Sequence, residues 1–121
     1  MTYKRSDRVG DLIKEEVASI ILHGDIKDPR VGFVTVTSVR MSRDLKNVTV
    51  LFSMIGSDEE RERSAEGLNS AAGYVRRVLA KRLRLKHIPS VRFEFDRSLE
   101  YAMHMNEIIK EVNENGGTGS D

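Results

Sequence analysis

Between Gly67 and Phe93 the chain carries Arg76, Arg77, Lys81, Arg82, Arg84, Lys86 and Arg92, and not one Asp or Glu. The formal charge of the whole chain is only +1, so positive charge is concentrated in this block. Phosphate backbones are the obvious partner for such a surface. On a helix advancing about 100° per residue, Val75, Val78, Leu79 and Leu83 fall on one arc. Arg76, Arg77, Lys81 and Arg84 fall on the opposite arc, with Arg77, Lys81 and Arg84 at i, i+4 and i+7. Cations one turn apart match successive phosphates better than a small ligand. Arg82 points toward the apolar arc, so it either snorkels or marks a fraying helix end. A solvated amphipathic face is the competing reading, but such faces usually interleave Glu with Lys and Arg.

Upstream of these cations lies Ala71-Ala72-Gly73, a run of small residues inside a helical pattern. Small residues let a backbone approach a neighbour closely or let a helix change direction. Gly67 is a second helix-weakening residue nearby, so one long helix that tolerates both glycines is the alternative. A helix, small break, helix element beside a sheet is how KH domains clamp a nucleic-acid backbone, with a GXXG loop. Here no GXXG is present, which predicts a kink and not a full phosphate-clamping loop.

Other chemistry finds little support. His23, His87 and His104 lie in separate segments without metal-ligand spacing. No phosphate-cradling glycine loop, nucleophile elbow or cysteine nucleophile occurs, and cysteine is absent altogether. No catalytic residues, metal or cofactor are therefore expected. Hydrophobic content of 39% and charged content of 32% over 121 residues predict one soluble domain with a real core. The N-terminal stretch runs into an amphipathic pattern and the apolar runs are short, so neither signal peptide nor membrane span is expected and a cytoplasmic setting is.

The elements that would position the basic block follow from periodicity. Val9, Leu12, Ile13, Val17, Ile20 and Ile21 predict a helix from Ser6 to about Leu22, ended by Gly24. Residues 33–41 and 47–54 alternate as strands, and Ser42-Arg43-Asp44-Leu45-Lys46 joins them as a hairpin turn. Leu51 lies opposite the core face of the second strand, which predicts partial cover there too. Ser57 or Asp58 caps a helix whose pattern continues past the break to about Leu85. Val91, Phe93 and Phe95 predict a third strand, and Leu99 to Val112 a last helix with the stripe Met105, Ile108, Ile109, Val112. Those apolar groups are expected to pack on the sheet, or else to dock a protein. The order is α+β, with helices on a three-stranded sheet, a domain over 1–113 and a disordered polar tail over 114–121.

The chain resembles the ribosome-binding factor A family of bacterial small-subunit maturation factors. The resemblance rests on Asp28-Pro29-Arg30-Val31-Gly32, on Thr35-Val36 leading to Ser42-Arg43-Asp44-Leu45, and on Leu68 to Arg77. It continues through Leu83, Arg84, Pro89, the Phe93-Glu-Phe-Asp96 strand and Ser98, and covers all but the polar tail. It implies a type II KH-like domain whose GXXG is replaced by a kink, here Ala71-Ala72-Gly73. It also implies a non-catalytic, monomeric factor that binds the free or immature small subunit through 16S rRNA. Late rRNA processing, growth in the cold and release by a maturation GTPase belong to the same implication. The RNA-facing candidates are Arg76, Arg77, Lys81, Arg84 and Lys86. Lys4, Arg5 and Arg8 at the first helix form a second group, and Arg40, Arg43 and Lys46 around the hairpin a third. A general RNA-binding module or a protein adaptor is the competing function.

Overall fold

The computed structural model describes residues 5–120, with side chains over 5–114. Helix α1 (Arg5–Leu22) forms because Val9, Ile13, Val17 and Ile20 recur at helical spacing, and all four are buried. Gly24 ends it at φ +69°, a left-handed conformation that costs glycine little. Its N–H donates to Ile21 O and the Asp25 N–H to Ile20 O, both at 3.1 Å, closing the last turn.

Strands β1 (Thr35–Met41) and β2 (Asn47–Ser53) pair antiparallel, with a bulge between Val36 and Ser38. Strand β3 (Ser90–Phe95) pairs parallel to β2, from Asn47↔Ser90 to Phe52↔Phe95, so the sheet order is β1-β2-β3. A parallel pair needs a long crossover. Here it consists of α2 (Asp58–Ser70) and α3 (Ala72–Arg82). Ser57 starts α2 through a capping box: its side chain accepts from the Glu60 N–H while the Glu60 carboxylate accepts from the Ser57 N–H. Val48, Val50, Phe52 and Phe93 from the sheet meet Ile13, Val17, Ile20, Leu68, Val75 and Leu79 from the three helices in one core.

Four expectations change. Strand β1 starts at Thr35, not Phe33, because the Phe33 side chain is 94% exposed and the chain joins the ladder only after buried Val34. Helix α3 stops at Arg82 and does not reach Leu85: Leu83 is extended at φ −108°, ψ 131°. From there Leu83 and Leu85 turn toward the core while Arg84 and Lys86 face outward. Helix α4 (Ser98–Ser120) begins as expected but runs past Val112 into the segment 114–121 read as a disordered tail.

Nor does α4 pack on the sheet. Met105, Ile108, Ile109 and Val112 are 36–62% exposed, and Leu99, Tyr101 and Met103 are exposed as well. One sheet face is already filled by α1, α2 and α3, while the other presents Arg40, Arg92 and Glu94, joined as ion pairs. No apolar face remains to receive the stripe. Leu51 is half-buried beside those charged groups in a groove, the partial cover expected for its face. The start of α4 is held by Arg61, whose guanidinium bridges Asp58 and Glu100 and lies 4.5 Å over the Phe95 ring.

Candidate nucleic-acid interface

The break between α2 and α3 is centred on Ala71, at φ −89° and ψ 0°. Its N–H donates to Leu68 O at 3.0 Å and Gly67 O at 3.2 Å, and its carbonyl accepts from Val75 N–H at 3.0 Å. Hydrogen bonding therefore runs across the break, giving a kink without a loop. Gly73 faces open space: a Cβ there would meet only Arg77 Nη1 at 3.9 Å. Close approach within the fold belongs to Gly67 instead, where a Cβ would lie 2.7 Å from Val31 Cγ2.

Asp28-Pro29-Arg30-Val31-Gly32 docks at that point. Asp28 accepts from the Arg30 N–H and from its guanidinium, Arg30 Nη2 donates to Ser70 Oγ at 2.9 Å, and Gly32 N–H donates to the buried Ser64 Oγ at 3.0 Å. These hydrogen bonds hold the Asp28 carboxyl down at about 2. Asn69 was not singled out in the sequence. Its amide donates to Phe93 O at 3.0 Å and accepts from Phe93 N–H at 2.8 Å, pairing the outer edge of β3 as another strand would. No periodicity signals that role, because an exposed helical Asn looks the same in sequence whatever it faces.

The cations divide by partner. Arg82 reaches back to Glu16 of α1 at 3.1 Å, and Arg92 and Arg40 share Glu94 at 3.1 and 3.0 Å. Arg77 and Lys81 stay exposed on α3, and Arg84 and Lys86 stay exposed on the 83–89 segment. None of these four forms an ion pair among the described residues. Because α3 ends at Arg82, Arg84 leaves the row formed by Arg77 and Lys81 and stands apart on extended backbone. Arg76 is also exposed, but its Nη2 donates to Ile88 O at 3.1 Å, tying α3 to the 83–89 segment.

Three basic groups that are remote in sequence converge beside that segment. A cleft of about 400 Å³ opens between the start of α1, the β1–β2 turn and residues 85–89. Arg5, Lys46, Lys86 and His87 line it together with Asp44. Arg5 and Arg43 line an adjoining hollow. Arg8 faces a separate hollow along α1, and Lys4 lies outside the described residues. Ser42 Oγ donates to Asp44 Oδ1 at 2.7 Å and Lys46 N–H donates to it at 3.1 Å, lowering the carboxyl pKa and shaping the turn. Leu45 in this turn has φ +61°. Among the described residues no group of three or more metal-ligating side chains gathers, and no helix is long and apolar enough to cross a membrane.

A three-stranded sheet backed by α1 and a kinked helix pair, with exposed cations following the kink, defines a KH-like α+β domain. A family model described as ribosome-binding factor A matches residues 5–109, and the chain belongs to that family. A ribosome-binding factor A from Citrifermentans bemidjiense is 44% identical over 109 residues, spanning 90% of this chain and 91% of that protein. The fold is similar to the solution structure of a Thermotoga maritima ribosome binding factor A, with TM-score 0.71 and 32% identity over 81% of this chain and 92% of that one. It is also similar to a homology model of Thermus thermophilus ribosome binding factor A fitted into a cryo-EM map of a 30S complex. There the TM-score is 0.61 and identity 26%, over 74% of this chain and 93% of that one.

Proposed function

We propose that this chain is a non-catalytic assembly factor that binds the free or immature small ribosomal subunit through its 16S rRNA. The observation that carries the reading is the exposed, unpaired row Arg77–Lys81 immediately after the kink, in a member of a ribosome-binding family. Cations of this kind bind phosphate without reading sequence, so specificity comes from rRNA shape. We take residues 1–113 as one domain, in which the sheet with α1, α2 and α3 holds these cations rigid, and open space at Gly73 lets an RNA backbone come close to the kink. Arg84, Lys86, Arg5, Arg8 and Arg43 extend the basic surface, with Lys4 before them in the chain. Arg76 acts mainly by holding the 83–89 segment.

Binding favours one rRNA conformation by the difference in affinity for two states. Late 16S processing, growth in the cold, release by a maturation GTPase, a cytoplasmic location and action as a monomer complete the proposal. A protein-docking role is favoured by one observation, the exposed stripe of α4. Co-sedimentation with immature and mature small subunits, large subunits and whole ribosomes over a salt series tests the choice. Selective binding to small subunits that is lost in Arg77→Glu/Lys81→Glu supports the factor. Equal binding to every RNA reduces it to a general basic module, and no RNA binding leaves the adaptor.

A further inference from the structure

The cleft at the β1–β2 turn is chemically two-sided. Arg5, Lys46 and Lys86 supply positive charge, while Val9, Met41, Leu45, Leu85 and Pro89 supply an apolar wall. A bare phosphate uses only the first set, and an apolar ligand only the second. A nucleotide needs both, and about 400 Å³ lies within the usual ~300–1,000 Å³ of small-ligand sites. We propose that this cleft receives a single unpaired RNA nucleotide, its phosphate on Arg5, Lys46 and Lys86 and its base against the apolar wall. The proposal rests on the RNA-binding reading above and adds to it a site for a base splayed out of its helix.

Two further observations support it. Two of the walls are fixed to each other by Ser90 N–H donating to Lys46 O at 2.9 Å, while Ser42 N–H to Asn47 O at 2.9 Å closes the turn and Arg76 ties Ile88 to α3. Secondly, Leu45 lines the cleft in a left-handed conformation at φ +61°, where a bulky residue is an outlier and Asn or Gly fits without strain. The turn sets this backbone, with Leu45 N–H donating to Ser42 O at 3.0 Å, and leucine at the position adds an apolar side chain to the cleft lining. Asp44 stands at the rim as an acceptor for a sugar hydroxyl or a base amine, and it sets a cost against any second phosphate.

The test uses the full chain and two RNA hairpins, one fully paired and one carrying a single bulged adenosine, with AMP and inorganic phosphate as further probes. The bulged hairpin is expected to bind about tenfold more tightly, as burial of one base face predicts. Amide resonances of Val9, Leu45 and Leu85 should shift with it and not with the paired hairpin. Lys86→Ala should remove that preference and lower the salt slope by about 1. Leu45→Asn should remove it too, while unfolding at the same temperature as the unaltered chain or higher. A merely structural leucine would instead lose stability and keep the preference, which overturns the proposal. Should Leu45→Asn not fold, Lys86→Ala carries the test, since Lys86 is exposed. Equal binding of both hairpins through Arg77 and Lys81 overturns the cleft alone. Cleft shifts with phosphate alone reduce it to an anion site, and shifts with AMP but not the bulged hairpin make it a free-nucleotide site; either overturns the proposal. No binding of any RNA overturns the cleft together with the reading beneath it.

Discussion

A Cβ at Gly67 would lie 2.7 Å from Cγ2 of Val31, so α2 and the Asp28–Gly32 segment touch where α2 has no side chain. Arg30 Cβ and Asp28 Cγ stand 3.3 Å from the same point, and the bonds from Arg30 Nη2 to Ser70 Oγ and from Gly32 N–H to Ser64 Oγ keep the segment from moving aside. Gly67 is therefore retained for packing, although alanine is the better helix former by about 1 kcal/mol.

Gly67→Ala and Gly73→Ala should part company. The first forces an overpacked contact and is expected to destabilise by about 1–2 kcal/mol even after the propensity gain. The second meets open space and should stabilise by about 0.5–1 kcal/mol. Denaturant midpoints of both variants measure this. If Gly73→Ala also weakens subunit binding, the open space at the kink is where RNA approaches.

Lys81 and Arg82 are neighbours in sequence with different duties. Arg82 is spent on Glu16, and Lys81 is not in an ion pair. Lys81→Glu should weaken binding to small subunits and lower the salt slope, by about 1 for the lost contact. Arg82→Ala should leave that slope unchanged and cost no more than about 1 kcal/mol of stability, as expected for a partly exposed pair. Salt-series co-sedimentation beside thermal unfolding separates the two.

Acid should expose the Asp28 contribution. Its folded pKa, held at about 2 by Arg30, lies below the ordinary 3.8, so the stabilisation is fully present above that value and is lost as pH falls from there toward 2. Asp44, Glu60 and Asp96 shift in the same direction through hydrogen bonds from Ser42, Ser57 and Ser98, adding to the same limb. Asp28→Asn should be less stable at neutral pH and should flatten the acid side of the stability curve. An unchanged curve would mean that Arg30 anchors its segment without the carboxylate.

Helix α4 buries little, so a chain ending at Glu100 should unfold cooperatively within about 2 °C of the full chain. The Arg61–Glu100 pair survives that truncation. A larger loss, measured by thermal unfolding, would show that the stripe is covered in solution.

Much of this molecule is local and so was legible in residue order. The 3.6-residue stripe of α1, the two-residue alternation of β2 and β3, the Ser57 cap and the small-residue kink each depend on neighbours within a turn or two. So does the acid-free basic block, in which Arg77, Lys81, Arg84 and Lys86 form no ion pair among the described residues. The end of α3 was misread although its signal was present. Leu83-Arg84-Leu85-Lys86 alternates with period two, the mark of extended chain with one face buried.

Tertiary structure decided what depends on distant segments meeting. It sends Arg82 to Glu16, sets Gly67 against Val31 and gives the edge of β3 to Asn69. It leaves the apolar stripe Met105, Ile108, Ile109 and Val112 of α4 exposed because the sheet has one apolar face and three helices already fill it. It also gathers Arg5, Lys46 and Lys86 around one cleft. The parallel pairing of β2 with β3 brings residue 90 beside residue 47, and no pattern within either segment encodes that pairing.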